Sequence, residues 1–277
     1  MSLLSLSDDE IFTLFQNSPV GTINQLCQTH PRIRRLSQTP RFHQLIEQKL
    51  VDYLVQRYGT QHDALINSIA NNNIQYVNLL LKYGVDPSAQ NNQAIMVASR
   101  NGHLAVVERL LEDPRVDPTD RANAAIVLAS EYGHLNVVDR LLEDPQVDPS
   151  ARNNRAILWA SDGGHLAVVN RLLNWRPQSP NDNRRVDPSD QNNEAIIWAS
   201  QQGHLDVVER LLEDHRVNPS DQNNEAIIWA SQQGHLDVVN RLLEDHRVDP
   251  TAQNNTALTL AQQNGHLDVV NLLSQYT

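Results

Sequence analysis

The chain has 277 residues, enough for one or two ordinary domains or a single elongated repeat array. Hydrophobic residues make up 40% and charged residues 20%, a balance that folds rather than staying disordered. With 22 Lys and Arg against 33 Asp and Glu the formal charge is −11, which opposes binding to nucleic acid and to anionic membrane surfaces and makes a protein the expected partner. No apolar run approaches the roughly 20 residues that span a bilayer. The opening MSLLSLSDDE has too short an apolar run, and no basic flank, for a signal peptide. Cys27 is the only cysteine, so no intrachain disulfide forms and a reducing compartment is expected. The chain reads as a soluble, cytoplasmic monomer.

Residues 1–60 form a helical segment of their own. Ser7 and Glu10 have capping-box spacing at the start of LSDDEIFTLF, and Leu6 is placed to staple onto Ile11. Thr39-Pro40 opens a second helix, running through Phe42, Leu45, Ile46, Leu50, Tyr53 and Leu54 to Gly59. GTINQLCQTHPRIRRL supplies one or two short helices between them, divided at Pro31. The order L-x-x-x-E-I-x-x-L-F, then Leu26-Cys27, then R-I-x-x-L and R-F-x-x-L resembles an F-box over about forty residues. Two positions depart from that family: Ser7 stands where proline is usual, and His30-Pro31 interrupts where an aromatic residue follows the cysteine. The resemblance implies docking on a Skp-type linker of a cullin ubiquitin ligase through Leu6, Ile11, Leu14, Leu26 and Cys27. The alternative is a helical cap over the apolar end of a repeat array, which any such array requires.

From residue 61 onward the sequence repeats. Gly-His pairs stand at Gly102-His103, Gly133-His134, Gly164-His165, Gly203-His204, Gly234-His235 and Gly265-His266, with steps of 31, 31, 39, 31 and 31 residues. Asn72-Asn73 holds the same place upstream, giving seven units. Each unit carries two short helical patterns. EAIIWAS comes first, and HLDVVERLLED follows with Leu205, Val208, Leu211 and Leu212 at helical spacing. Asp206 and Arg210, repeated as Asp237 and Arg241, have the favourable acid-then-base spacing of four. The link RVNPSDQNN contains Pro219, which excludes helix, and Asn223-Asn224, suited to positive φ; it predicts a protruding turn or short hairpin. One such pair cannot bury enough apolar surface alone, so neighbours must stack in register, with about 8–10 Å between packed helices.

The pattern A-x-x-x-A-S-x-x-G-H-L-x-V-V-x-R-L-L resembles the ankyrin repeat over residues 61–277. That resemblance implies an all-α solenoid of seven helix-pair repeats behind an amino-terminal helical domain, and a non-catalytic role in protein recognition. The 31-residue period and the VDPS…NN turn are similar to arrays encoded by large DNA viruses of protists, which implies a host cytoplasm. The family's Thr-Pro opening is replaced by pairs such as Glu194-Ala195, although Thr256 restores the threonine in the last unit. Its histidine is replaced by Met96, Val127, Leu158, Ile197 and Ile228, which removes the usual polar tie between helix and loop and predicts looser loops. The resemblance places the polar pairs before each Gly-His on a concave binding face: Arg100-Asn101, Glu131-Tyr132, Gln201-Gln202 and Gln232-Gln233. Tyr132 and Arg100 are the expected anchors, since such residues dominate interface hot spots.

Other features carry structural readings. The six Gly-His histidines lie one per unit, about 10 Å apart, whereas zinc needs four ligands within about 2.0–2.3 Å of one point, so a hydrogen-bonding role at helix starts is expected. Cys27 and His30 lack the second half of a metal site. Trp159, Trp198 and Trp229 share one repeat position with Val97, Leu128 and Leu260, which favours packing over an exposed aromatic ladder. The insertion from Asn174 to Arg185, with Trp175, Arg176, Arg184 and Arg185, reads as a neutral surface addition. No phosphate loop, dinucleotide glycine pattern or paired zinc-ligand motif occurs, so neither catalysis nor a cofactor is expected. Three roles remain open at this point: a ubiquitin-ligase substrate adaptor, a sequestering scaffold, and a targeting module for an enzyme.

Overall fold

A computed structural model describes residues 6–179, 181, 182 and 184–277, the side chain of Asn24 excepted. The first five residues, and the insertion positions Pro180 and Asn183, lie outside that description. Among the described residues every regular element is a helix. The chain divides into two compact units, Met1–Ala94 and Ile95–Thr277.

In the first unit the Ser7 hydroxyl accepts the Glu10 N–H and the Glu10 carboxylate accepts the Ser7 N–H at 2.7 Å, the expected capping box. It starts α1 (Asp8–Asn17). Pro31 separates α2 (Val20–Thr29) from α3 (Pro31–Ser37), as its missing donor requires. These helices and α4 (Pro40–Tyr58) close around Ile11, Phe15, Ile23, Ile33 and Phe42. The Phe42 ring meets Phe12 and Phe15 edge-on at 5.2 and 5.7 Å. Then come α5 (Gln61–Ala70) and α6 (Ile74–Lys82), the first of the repeated pairs. Asn72 takes φ +52, where other units use glycine, and Asn73 caps α6 by accepting the Tyr76 N–H at 3.1 Å.

Six further pairs follow. They are α7 (Ala89–Arg100) and α8 (Leu104–Leu111), α9 (Asp120–Glu131) and α10 (Leu135–Leu142), and α11 (Ala151–Asp162) and α12 (Leu166–Leu173). The last three are α13 (Asp190–Gln202) and α14 (Leu205–Leu212), α15 (Asp221–Gln233) and α16 (Leu236–Leu243), and α17 (Ala252–Asn264) and α18 (Leu267–Leu273). Within the second unit, the first helices from α9 to α17 pack closely side by side as an inner row, while the second helices stand further apart as an outer row. The spacing has a sequence cause. Inner helices meet through small residues such as Ala199 and Ser200, whereas outer helices meet the inner row through Val207, Val208 and Leu211, all buried. Each such aliphatic side chain contributes about 1.5–3 kcal/mol when taken fully from water.

The links are firmer than the sequence implies. Instead of a hairpin, the start of each first helix from α7 to α17 holds three consecutive left-handed residues; for α13 these are Gln191, Asn192 and Asn193, with φ of 54°, 58° and 64°. Left-handed backbone costs roughly 1–2 kcal/mol per L-residue, and a buried asparagine offsets it. The Asn193 carboxamide oxygen accepts the Asn218 N–H of the next link at 2.8 Å, and its amide donates to Asp221 at 2.6 Å. Asn123, Asn154 and Asn224 bind the N–H groups of Asp148, Asp187 and Asp249 in the same way, at 2.7–2.8 Å. The expectation of looser loops is therefore overturned. The polar tie missing from Met96, Val127, Leu158, Ile197 and Ile228, all buried apolar residues, has moved to these asparagines.

A second staple closes each outer end. Asp214 binds Arg216, and the Arg216 guanidinium reaches back to the Val186 carbonyl at 3.2 Å; Asp245 and Arg247 repeat this on Val217 at 2.9 Å. The insertion uses the same device. Arg184 pairs with Asp182, donates to the carbonyls of Pro145 at 2.8 Å and Val147 at 3.3 Å, and lies 5.8 Å from the ring of Trp175, which is buried. The neutral-loop reading is thus corrected: the described part of the insertion is docked on the preceding pair. The expected Asp206–Arg210 and Asp237–Arg241 pairs do not form. Arg210 turns forward to Glu213 at 3.4 Å and across to Asn170 at 2.7 Å, because Asp206 sits in the first turn and accepts the Val207 N–H instead. Arg241 likewise takes Glu244, at 3.5 Å.

Two stability predictions follow from these links. Ala122 holds φ +52 where the other turns carry asparagine. Ala122→Asn should therefore raise the Tm by about 1–3 °C in a thermal melt, and an unchanged or lower Tm would contradict the strain argument. The Arg247 guanidinium bonded to Asp245 holds that carboxyl at about 2, down from 3.8, as Arg115 does for Asp113. A depressed folded-state pKa stabilises fully above the unfolded value and is lost as pH falls through the folded one. Arg247→Ala should accordingly erode the Tm most at neutral pH and least near pH 2 in melts taken between those limits; a deficit independent of pH would count against the ion pair.

Candidate protein-binding face

Glu194, Trp198, Gln201 and Gln202 recur at helical spacing on α13 and form its open stripe. Ala199 and Ser200, on the opposite side, are buried. Because the inner helices pack side by side, the stripes align into one surface. Along it run Leu128, Trp159, Trp198, Trp229 and Leu260, all half-buried. The Trp159 and Trp198 rings touch at 5.2 Å between centroids, tilted by 59°. The packing reading holds for one side of each ring: none is an exposed aromatic, yet none is fully buried, which leaves a partly open apolar strip.

The polar pairs border that strip. Arg100 donates to the Tyr132 hydroxyl at 2.9 Å with its guanidinium 5.1 Å from the ring, and Tyr132 is 41% exposed. Asn101, Gln202 and Gln233 are exposed; Glu131, Gln201 and Gln232 are half-buried. In the α11 unit the pair becomes Asp162-Gly163, and Gln202 donates to Asp162 at 3.0 Å. On the other flank, four residues before each strip residue, stand Arg155, Glu194 and Glu225. The sequence reading missed these three, although their fixed spacing from the tryptophans marked them. Beside Arg155 a pocket of about 340 Å³ is lined by Arg121, Arg152, Met96, Glu131 and Trp159.

The histidines do something other than cap helix starts; the caps of α8, α10, α12, α14, α16 and α18 have no side-chain hydrogen bond. In five of them Nε2 instead reaches the preceding pair. His134, His165, His204, His235 and His266 meet the backbone carbonyls of Arg100, Glu131, Asp162, Gln201 and Gln232 at 2.9–3.0 Å. A carbonyl only accepts, so Nε2 carries the proton. The ring lies flat on the preceding unit's glycine, so a Cβ on Gly203 would sit 2.5 Å from His235 Nδ1. These stitches seat the inner-face residues directly, because the accepting carbonyls belong to them. Among the described residues no group of three or more His, Cys, Asp or Glu is placed to hold a metal ion, and no helix is long and apolar enough to cross a membrane.

The amino-terminal set is less open than the sequence implies. Ile11 is fully buried in the core, with Leu6, Leu26 and Cys27 packed partly against it, while Leu14 is 37% exposed. A partner would meet Leu14 and the edges of the other three.

Stacked helix pairs with an aromatic strip on the inner row define a repeat solenoid of the interaction-module class. A family profile described as "Ankyrin repeats (3 copies)" matches residues 42–122, 157–254 and 196–277, and the chain belongs to the ankyrin repeat family. Among solved structures it is similar to the human ASB11 ankyrin repeat domain, with 19% identity and a TM-score of 0.53, over 71% of this chain and 96% of that one. At that identity the likeness is one of fold. None of the curated proteins matches.

Gly203 combines φ +79 with the close imidazole. Gly203→Ala should destabilise the array by more than the roughly 1 kcal/mol of an ordinary glycine replacement. His235→Ala in the same chain should recover part of that loss, and a double-variant Tm no higher than that of Gly203→Ala alone would disprove the contact.

Proposed function

We propose that this chain is a non-catalytic recognition scaffold that holds a protein partner on its inner row. One observation supports this most directly. Trp159, Trp198 and Trp229 are half-buried on successive units of the row that also carries the exposed Arg100–Tyr132 pair, leaving aromatic surface where a partner can complete its burial. Residues Arg100, Asn101, Glu131, Tyr132, Gln201, Gln202, Gln232 and Gln233 form the polar rim of that face, and the partner-holding segment is residues 61–277. The chain acts as a monomer in the cytoplasm, that of a host cell if its source is viral. Proximity labelling in the native cell tests this reading. Partners recovered by the parent chain should fall at least tenfold with Trp198→Asp, provided the variant keeps its Tm. An unchanged labelling profile would refute the face.

A second reading makes the scaffold a substrate adaptor whose residues 1–60 dock a Skp-type linker of a cullin ubiquitin ligase. The exposed Leu14 on the F-box-like helix favours it. Leu14→Glu tests it without disturbing the core that Ile11 fills. Co-purification of the linker with the parent and its loss in the variant would support adaptor function. No linker with either protein would leave sequestration by the array as the role.

A further inference from the structure

Resting on that reading of the inner row, the flank of the aromatic strip indicates what kind of segment binds. The chain is acidic overall, yet around the pocket between α9 and α11 arginines outnumber acids, with Arg121, Arg152 and Arg155 against Glu131. Arg155 is exposed and makes no ion pair among the described residues, and Arg152, also exposed, stands beside it on the same pocket. Arg152 is held by donating to the Arg121 carbonyl, a bond that leaves its charge uncompensated. One and two units further on, the position of Arg155 is taken by Glu194 and Glu225, both half-buried. Among the described residues neither glutamate has a cationic partner; Glu225 receives a long 3.5 Å contact from Trp229 Nε1. Arg155 and Glu194 stand four residues before Trp159 and Trp198, whose rings touch. The row is thus positive, then apolar, then negative, within three units.

We propose that this groove binds an extended peptide segment with segregated charge: an acidic residue on the Arg152–Arg155 side, a large apolar residue against Trp159 and Trp198, and basic residues on the Glu194–Glu225 side. The register follows from two lengths. Neighbouring units are about 10 Å apart and an extended chain advances about 3.3 Å per residue. An acid opposite Arg155 therefore puts a base three residues on at Glu194 and another six on at Glu225, with the apolar residue between acid and first base. Charge complementarity decides between occupants here. A uniformly acidic segment meets two uncompensated carboxylates, and a uniformly basic one meets the arginines; like-charge juxtaposition of that kind is what excludes wrong partners.

The test uses the full chain and three labelled synthetic peptides of one length, each with phenylalanine at its second position: charge-segregated E-F-S-K-S-S-K, an all-acidic version and an all-basic version. Fluorescence polarisation at low salt should give the segregated peptide at least about tenfold tighter binding than either control, weakening as salt rises. Arg155→Glu should remove that preference and favour the all-basic peptide, with Tm unchanged. Equal affinity for all three peptides, or preference for the all-acidic one, overturns the proposal. If none binds while Trp198→Asp still abolishes labelling of the cellular partner, this inference falls and the inner-face reading stands. If Trp198→Asp leaves that labelling intact, both fall.

Discussion

The structure depends on polar bonds made between units to groups that every unit possesses, its backbone N–H and C=O. Apolar stacking brings helix pairs together, but aliphatic contacts among Val, Leu, Ile and Ala tolerate sliding. Register is fixed by His235 on the Gln201 carbonyl and Asn193 on the Asn218 N–H, repeated along the array. A buried donor or acceptor left unmade costs about 1–3 kcal/mol. A slip of one residue would orphan several of these groups in every unit at once. The same bonds hold the inner face in place, since the carbonyls that seat the histidines belong to Arg100, Glu131, Asp162, Gln201 and Gln232, whose side chains border it.

What the sequence made legible follows from this. Helices, their order and their number per unit were readable because apolar spacing, Gly-His pairs and prolines report local conformation. Asparagine pairs were readable as positive-φ positions, and Gln191, Asn192 and Asn193 take that conformation. Partners of polar side chains were not readable. His235 looked like a helix cap because it stands at one, yet its ring nitrogen binds a residue 34 positions earlier. Arg210 had a well-spaced acid behind it and took a different partner, since a short helix leaves its side chain free to swing toward the outer neighbour. Contacts that close over one unit's length are invisible to any window shorter than that unit. The tryptophans were only half legible for a related reason. Interchange with Val and Leu signals burial on one side and says nothing of the ring's other face.

Five serines raise a separate point. Ser99, Ser130, Ser161, Ser200 and Ser231 are fully buried, and their hydroxyls have no hydrogen-bond partner among the described residues. They occupy the close-packed side of the inner helices, where size rules: the volume of serine is near that of alanine, and anything larger would force the inner row apart. Each hydroxyl is a net cost, and the array carries one in five successive units without losing its packing.

The insertion shows which end of a unit is free to vary. Its eight additional residues enlarge the step between Gly164-His165 and Gly203-His204, and a change of that size would break a helical register anywhere else. Yet the Trp159 and Trp198 rings touch across it, and His204 reaches Asp162 at 2.9 Å as in the uninterrupted units. The addition is confined to the outer link because Asp182 and Arg184 rebuild, after it, the staple that Asp214 and Arg216 form in the next unit. Arg184 returns the chain to the carbonyls of Pro145 and Val147, so the left-handed turn and its asparagine begin from the usual place. Growth outside the staple leaves the inner row continuous; growth inside it would separate Arg155 from Glu194 and divide the face.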